Sequence, residues 1–289
     1  MVLTKISEML NQFSPANLKI ANYILGNYSE IGFISVEDLS NHSGVSKASV
    51  VRFARIVGYS GFDELKKAIQ SELRKKLSPY EKIAITDLDR RSLQKQLEEL
   101  SRNEINNLRK TLDSLTPEEA IKWVEAIIEA QHIYLAGFGA TRFVISLLSY
   151  ALATFQSKPL WMLTGSVSDF SPRVKHMESK DLLIIMTFPP YSKEFEYVVS
   201  VARKKGTKIL LACDSPQCPV FPYAYSAVIC ESNSLLLNNS FVGPIALIQI
   251  ISNFLLLREK KTGMKEMKEI WNVELEGYKY IAKEGGEEE

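Results

Sequence analysis

The stretch from Ser35 to Leu65, SVEDLSNHSGVSKASVVRFARIVGYSGFDEL, decides the fold of the first part of the chain. Hydrophobic residues recur at helical spacing on both sides of Gly44, and glycine adopts the positive φ angle of a tight turn without a steric clash. Ser40 provides a small side chain where the two helices would cross, and Val45 follows the turn as an apolar residue. This arrangement predicts a helix-turn-helix.

The second helix of this pair is predicted to have one buried and one polar face. Ser46 is placed to cap the helix by accepting a hydrogen bond from the N–H of Ser49. The spacing i, i+3, i+4, i+7 predicts a core face made of Val50, Phe53, Ala54 and Val57. The opposite face is small and polar near its start and basic further along, as in helices that enter the DNA major groove. The residues predicted to contact DNA are Ser46, Lys47, Ala48, Ser49, Arg52 and Arg55. The alternative is a charged face that is only solvated.

Two consecutive runs in this stretch resemble the signature of the RpiR family of bacterial transcriptional regulators. They are Ser46-x-x-Ser49-Val50-x-Arg52-Phe53 and Gly58-Tyr59-x-Gly61-Phe62-x-Glu64-Leu65-Lys66. The resemblance implies a winged-helix-like N-terminal domain, with Phe62 against the recognition helix, followed by a sugar isomerase (SIS) domain that senses a phosphorylated sugar. It also implies a double-stranded DNA operator as partner and places the surface for a homodimer or tetramer in residues 115–260.

Composition indicates an ordinary soluble globular protein, and no cofactor is predicted. The chain has 289 residues, enough for two domains, with 46% hydrophobic and 24% charged residues. Its net charge is +1, but residues 1–80 hold ten Lys and Arg against seven Asp and Glu, so a modest basic excess lies beside the helix-turn-helix. Three cysteines without paired spacing predict neither a disulfide framework nor a metal site. Free thiols favour a cytoplasmic protein.

Two apolar segments do not have the pattern of membrane or export signals. The N-terminus MVLTKISEML lacks the uninterrupted apolar core of a signal peptide. The run from Phe241 to Leu257 contains Pro244, Gln249 and Asn253, so a buried helix is expected rather than a membrane span.

Helix-start signals and a stretch without helical periodicity predict the domain boundaries. Ser14 before Pro15 marks a helix start, and a second start is marked by Thr116 before Pro117. Residues 75–90 hold a proline and no sustained period, so they are interpreted as a linker. The predicted division is 1–78 for the helix-turn-helix domain, 79–113 for a linker with a helix, 114–262 for the SIS-like domain, and 263–289 for a C-terminal helix and acidic tail.

From His132 onward, short apolar runs alternate with helical stretches. The runs are IYLAG, LWMLT, LLIIMTF, KILLAC and YSAVICE. Strands that are apolar throughout are typical of a parallel sheet covered on both faces. We therefore predict an α/β three-layer sandwich with a five-stranded parallel sheet, preceded by the α-helical domain, with its ligand at the carboxyl ends of the strands.

Two loops at these strand ends are predicted to bind an anionic effector. Gly137 and Gly139 follow the first strand and open a helix, where N–H groups favour an anion. The alternative is that these glycines only allow close packing of helix on strand. By resemblance to the first SIS loop, Thr141 contacts the sugar, and Arg142 adds a cation.

The second loop departs from the SIS pattern. SIS domains usually have Ser-x-Ser-Gly-x-Thr here; Thr187 matches the first serine and Ser192 the threonine. Pro189 and Pro190 replace two residues whose N–H groups would bind phosphate, because proline has none. The N–H groups of Tyr191 and Ser192 remain. Glu231, after the fifth strand, is the last predicted effector contact.

Two other functions stay open at this stage. A sugar-phosphate isomerase would need a general base in the cleft, but His42, His132 and His176 are all predicted to lie away from the strands' carboxyl ends. The second open function is a DNA-binding scaffold that uses the SIS domain only to dimerise. The sequence favours a regulator that is not an enzyme and that controls operator binding through a small anionic metabolite.

Overall fold

The computed structural model describes residues 2–31, 34–76, 78–84, 86–154 and 158–277. By their contacts these residues form two units, one of residues 2–97 with 233–238 and one of residues 98–232 with 239–277. The predicted boundaries after residues 78, 113 and 262 stay a prediction. The acidic tail after residue 277 lies outside the described residues.

The regular elements of the first unit are all helical in the described ranges. Its helices are α1 (Val2–Glu8), α2 (Pro15–Gly26), α3 (Tyr28–Ile31), α4 (Val36–Ser43), α5 (Lys47–Ile56), α6 (Phe62–Lys76) and α7 (Pro79–Ala84), with 3-10 turns at Leu10–Gln12 and Leu88–Arg90. The segment interpreted as a linker, 75–90, therefore contains the short helix α7 and a 3-10 turn.

The helix-turn-helix is formed by α4 and α5. Gly44 ends α4 with φ 64° and ψ 40°, the left-handed conformation that the turn requires. The hydroxyl of Ser46 accepts a hydrogen bond from the N–H of Ser49 at 3.2 Å, as predicted. All four residues predicted for the core face of α5 are fully buried, and Phe62 is buried in the same cluster.

Helix α2 is the packing helix of this unit. It begins after Ser14, whose hydroxyl accepts from the N–H of Asn17. Ile20, Ala21 and Ile24 are fully buried, whereas Leu18 is exposed. Helix α2 therefore packs into this unit through Ile20, Ala21 and Ile24.

The second unit is built on the predicted parallel sheet. Its strands are β1 (Ile133–Ala136), β2 (Leu160–Leu163), β3 (Leu182–Thr187), β4 (Lys208–Cys213) and β5 (Ser226–Ile229), in the spatial order β2-β1-β3-β4-β5. Its helices are α8 (Leu93–Ser114), which starts in the first unit, α9 (Pro117–Glu129), α10 (Thr141–Ala153), α11 (Val167–Val174), α12 (Glu194–Lys205), α13 (Val242–Arg258) and α14 (Lys260–Gly277).

Successive residues of β1 point to opposite faces of the sheet. Ile133 and Leu135 join a core with α9, α10 and α13, whereas Tyr134 and Ala136 join a core with α11 and α12. All six residues of β3 are buried. The result is the predicted three-layer sandwich. In the described part of the chain, no single helix is long and apolar enough to cross a membrane.

Helix α8 packs against the α/β unit through polar residues. Asn107 and Thr111 are buried, while Leu93, Leu97 and Ile105 are 81%, 67% and 65% exposed. Thr111 Oγ1 accepts from the N–H of Glu231 at 3.0 Å and donates to the carbonyl of Asn107 at 2.9 Å. These hydrogen bonds explain why polar residues face the sheet domain here.

Replacing Gly44 by alanine should destabilise the helical unit by about 1–2 kcal/mol, because a Cβ is unfavourable at positive φ. An added Cβ meets nothing within 4 Å, so the cost comes from the backbone alone. Hydrogen exchange of the α4 and α5 amides in the full chain measures it. Gly26→Ala is the control, since its Cβ also meets open space but its φ is not positive. Equal exchange in the two variants would contradict the requirement for glycine.

Candidate functional site

The polar face of α5 is accessible along its length. Lys47, Ala48, Arg52 and Arg55 are exposed and Ser49 is half-buried, on the side opposite the core residues. Ser46, at the start of the helix, is exposed as well. All six residues predicted to contact DNA therefore lie at the N-terminus or along the outer face of one capped helix.

The three cations on this face differ in how they are held. Lys47 forms an exposed salt bridge to Glu37 on α4, with 2.7 Å between Nζ and Oε1. Arg55 Nε donates to the carbonyl of Ser60 at 3.2 Å, and Arg52 makes only a long contact, 3.4 Å, to the Ser49 hydroxyl. Of these three cations, Arg52 therefore has the longest polar contact to its own domain. The sequence analysis missed the partner of Lys47, although Glu37 lies on the preceding helix.

The second candidate site lies at the carboxyl edge of the sheet. β1 pairs with β2 on one side and with β3 on the other, both in parallel. The chain leaves β1 toward β2 and later leaves β3 toward β4, so the connections diverge between β1 and β3. In open α/β sheets, ligands bind at this switch point. Both predicted effector loops start there.

The first loop is held mainly by its own packing. A Cβ on Gly137 would lie 2.8 Å from the carbonyl oxygen of Thr141 and 2.9 Å from Ile145, so the glycine permits close approach of α10. Gly139 has φ 58°. The Thr141 hydroxyl is buried and donates to the carbonyl of Phe138 at 2.6 Å. The Thr141 hydroxyl therefore already donates its hydrogen bond within the loop. The exposed Arg142 guanidinium stacks on the ring of Phe143.

The second loop is fixed by contacts from neighbouring strand ends. Thr187 is the last residue of β3, and the Pro189–Pro190 peptide bond is cis. The Tyr191 hydroxyl donates to Asp214 Oδ1 at 2.6 Å. Burial, then this hydrogen bond, raise the pKa of Tyr191 well above its usual value, so the phenol stays protonated.

Ser192 lies where the second loop meets α12. Its hydroxyl donates to the Glu194 carboxylate, which lowers the pKa of Glu194. Glu194 and Glu196 both lie in the first turn of α12, so their charges oppose a second anion at this helix end. Lys193, next to them, offers the compensating cation.

A cavity of about 520 Å³ opens beside this loop. It is lined by part of the second loop, by α12 and by the segment after β4: Thr187, Tyr191, Ser192, Lys193, Phe195, Glu196, Val199, Ser200, Arg203, Pro219, Val220 and Tyr223. The Arg203 guanidinium lies 4.3 Å from the centre of the Tyr223 ring. The volume falls within the range of small-molecule sites.

The cavity takes in three of the predicted effector residues, all from the second loop. Gly137, Gly139, Thr141 and Arg142 do not line it. Glu231 follows β5, two strands from β3 and so about 10 Å away across the sheet. Its carboxylate lies 3.6 Å from Lys110 on α8.

Two residues at this edge were missed by the sequence analysis. Asp214 directly follows β4, so the rule that identified Thr187 at the carboxyl end of β3 applies to it equally. Asn239 donates from its side-chain amide to the carbonyl of Pro189 at 2.6 Å. It lies in a nine-residue run, SNSLLLNNS, that has no strand or helix signal.

The histidines lie elsewhere. His132 precedes β1 and its Nδ1 lies 2.8 Å from Asp181 Oδ1, at the amino edge of the sheet. His42 is on α4, stacked on Tyr23, and His176 follows α11. Among the described residues, no group of three or more His, Cys, Asp or Glu is placed to hold a metal ion.

Tyr191→Phe should destabilise the second unit by about 1–3 kcal/mol, because it removes a hydrogen bond to a buried carboxylate. Urea unfolding followed by tryptophan fluorescence measures this, since Trp123, Trp161 and Trp271 all lie in that unit. The matched control is Tyr197→Phe, which removes an exposed hydroxyl from α12. An unchanged midpoint for Tyr191→Phe would show that the contact to Asp214 does not stabilise the loop.

Comparison with known proteins assigns the first unit. Residues 1–76 match the helix-turn-helix domain of the rpiR family. An HTH-type transcriptional regulator of Caldanaerobacter subterraneus is 25% identical over 269 residues, which cover 90% of this chain and 91% of that protein.

Solved structures match the second unit and the chain as a whole. The sugar isomerase domain of an RpiR transcription factor from Sphaerobacter thermophilus aligns with a TM-score of 0.57 and 23% identity, over 60% of this chain and 97% of that one. The NanR protein of Vibrio vulnificus, solved in complex with ManNAc-6P, aligns with a TM-score of 0.59 and 19% identity, over 96% of this chain and 100% of that one. The chain therefore carries an rpiR-family helix-turn-helix domain at residues 1–76, and its α/β unit has the fold of sugar isomerase domains.

Proposed function

We propose that the α/β unit senses a small anionic metabolite of the phosphorylated-sugar class and that its occupancy controls operator binding by α5. The observation that carries this proposal is the cavity beside the second loop, where hydroxyls and the cation Lys193 lie next to the carboxyl end of β3.

The chemistry of the cavity suits a phosphorylated sugar. Lys193 is a cation beside the loop that can neutralise a phosphate, although Pro189 and Pro190 remove two backbone donors. Arg203 lies ten residues further along α12, about 15 Å away, and lines the other end of the cavity. The Glu196 carboxylate can accept hydrogen bonds from sugar hydroxyls, and the Tyr223 ring, which carries the Arg203 guanidinium, also lines the cavity. The complex of the V. vulnificus protein with ManNAc-6P supports the same class of ligand.

DNA recognition is assigned to the outer face of α5. Its first residues are small, which allows close approach to base edges, and its arginines can form paired hydrogen bonds to guanine. One short helix reads few base pairs, so we propose a homodimer or tetramer that binds a two-fold symmetric operator.

An isomerase is the alternative. The relatives that carry the helix-turn-helix are named transcriptional regulators, and none of the three histidines lines the cavity. Both observations favour a regulator that is not an enzyme.

Arg52→Ala should weaken binding to a specific operator by about 1–3 kcal/mol if the guanidinium reads a base. The operator is obtained by selecting bound duplexes from a random pool with the wild-type protein, and affinity is measured by fluorescence anisotropy. Arg109→Ala, which removes an arginine that is 81% exposed on α8, is the control. Wild-type affinity in folded Arg52→Ala would remove Arg52 from the DNA-contacting residues.

At least one phosphorylated sugar from a panel of hexose and N-acetylhexosamine phosphates should raise the melting temperature of the wild-type chain. A ligand at a hundred times its Kd stabilises the folded state by about 2.7 kcal/mol. Lys193→Met should weaken that ligand about fivefold, as expected for one exposed charge pair. Lys175→Met, which removes a lysine at the amino edge of the sheet, should bind it normally.

The same panel separates the alternatives. Isomerised product in the wild-type reaction would identify an enzyme. A chain that binds its operator but responds to no sugar would be a DNA-binding scaffold, and the sensing proposal would be wrong.

A further inference from the structure

The segment that follows β5 connects the effector loop with the helical unit through the chain itself. By their contacts, residues 233–238 belong to the helical unit, whereas Ser232 before them and Asn239 after them belong to the α/β unit. The segment is closed on itself by a hydrogen bond from the N–H of Leu237 to the hydroxyl of Ser234, 3.0 Å long.

Within the helical unit, this segment is held by a buried lysine. Lys82, on α7, is only 2% exposed. Its ammonium group donates to the carbonyl oxygens of Leu237 at 2.5 Å and of Asn238 at 3.3 Å. A charge removed from water must be compensated by such hydrogen bonds, so the position of α7 and that of residues 237 and 238 depend on each other.

Within the α/β unit, the next residues hold the effector loop. The side-chain amide of Asn239 donates to the carbonyl of Pro189 at 2.6 Å. Two residues further on, the ring of Phe241 packs against that of Phe188, with 6.1 Å between their centres. The loop that lines the cavity is therefore fixed from its Phe188 and Pro189 side by the chain that Lys82 holds.

We propose that Lys82 and Asn239 are positioning residues that couple the effector loop to the helical unit. The hydrogen bond of Asn239 and the one that Asn238 accepts from Lys82 are separated by a single peptide link, about 3.8 Å between Cα atoms. A ligand that shifts Pro189 moves Asn239, and the rigid peptide transmits this shift to the carbonyls that hold α7. This inference deepens the proposed function and depends on it for the identity of the stimulus.

Coupling of this kind acts in both directions, because linkage is reciprocal. A substitution at Lys82 must therefore change the local stability of the effector loop, and a substitution at Asn239 must change that of α7. A lysine that only fills space in its own unit would produce a local effect alone. This difference can be measured without knowing the effector.

The test is hydrogen exchange with mass spectrometry on the full chain without ligand. Lys82→Met should speed exchange of the amides from Tyr191 to Phe195, and Asn239→Ala should speed exchange of those from Tyr80 to Ala84. The loss of one hydrogen bond corresponds to an increase of about two- to tenfold where local opening governs exchange.

Lys158→Met is the matched control. Lys158 also donates to two backbone carbonyls, those of Ile127 and Ile128, but it precedes β2 at the amino edge of the sheet. Its replacement should leave exchange in both monitored segments at the wild-type rate.

Exchange changes confined to the neighbourhood of each mutation would overturn the coupling. If Lys82→Met does not fold, Asn239→Ala decides alone, and unchanged exchange at Tyr80 to Ala84 overturns the proposal. The proposed function fails separately, when the wild-type chain responds to no phosphorylated sugar.

Discussion

The pairing of β1 with β3 is the interaction on which the carboxyl edge of the sheet depends. It places Ala136 beside Ile185 in a parallel register, so the loops that follow both strands emerge at one edge. Because β2 lies on the far side of β1 and β4 on the far side of β3, the connecting helices leave this point in opposite directions. A crevice at the switch point follows from strand order alone, and only the residues in the loops decide what it binds.

The fold was predictable because its local signals agree with one another. Five apolar runs predicted all five strands, most clearly β1 and β3, whose residues are all buried and so leave no polar alternation. The turn at Gly44 and the cap at Ser46 are equally local, because each depends on one residue type and its immediate neighbours. Where burial depends on distant partners, the local pattern does not show it, as on α8: the buried side contains Thr111, whose hydroxyl accepts from the N–H of Glu231.

The candidate effector site was only partly predictable for the same reason. Strand ends identified Thr187, Tyr191 and Ser192, all of which line the cavity. The sequence does not show that the Thr141 hydroxyl donates its hydrogen bond to the carbonyl of Phe138, or that Gly137 is needed for close packing of α10. Asn239 is the harder case. Its contact with Pro189 joins residues 50 positions apart, and no local pattern marks it.

The pairing of His132 with Asp181 shows why position in the fold must accompany distance. An imidazole 2.8 Å from a buried carboxylate has the geometry of a catalytic base and its orienting partner. However, Asp181 also accepts hydrogen bonds from the N–H of His132 and from that of Glu178, so it ties together the starts of β1 and β3. The six residues of β3 span about 20 Å between this pair and the strand's carboxyl end. A histidine there cannot reach a ligand held by the second loop. Its carboxylate partner therefore stabilises the sheet, and none of the three histidines lines the cavity beside the second loop.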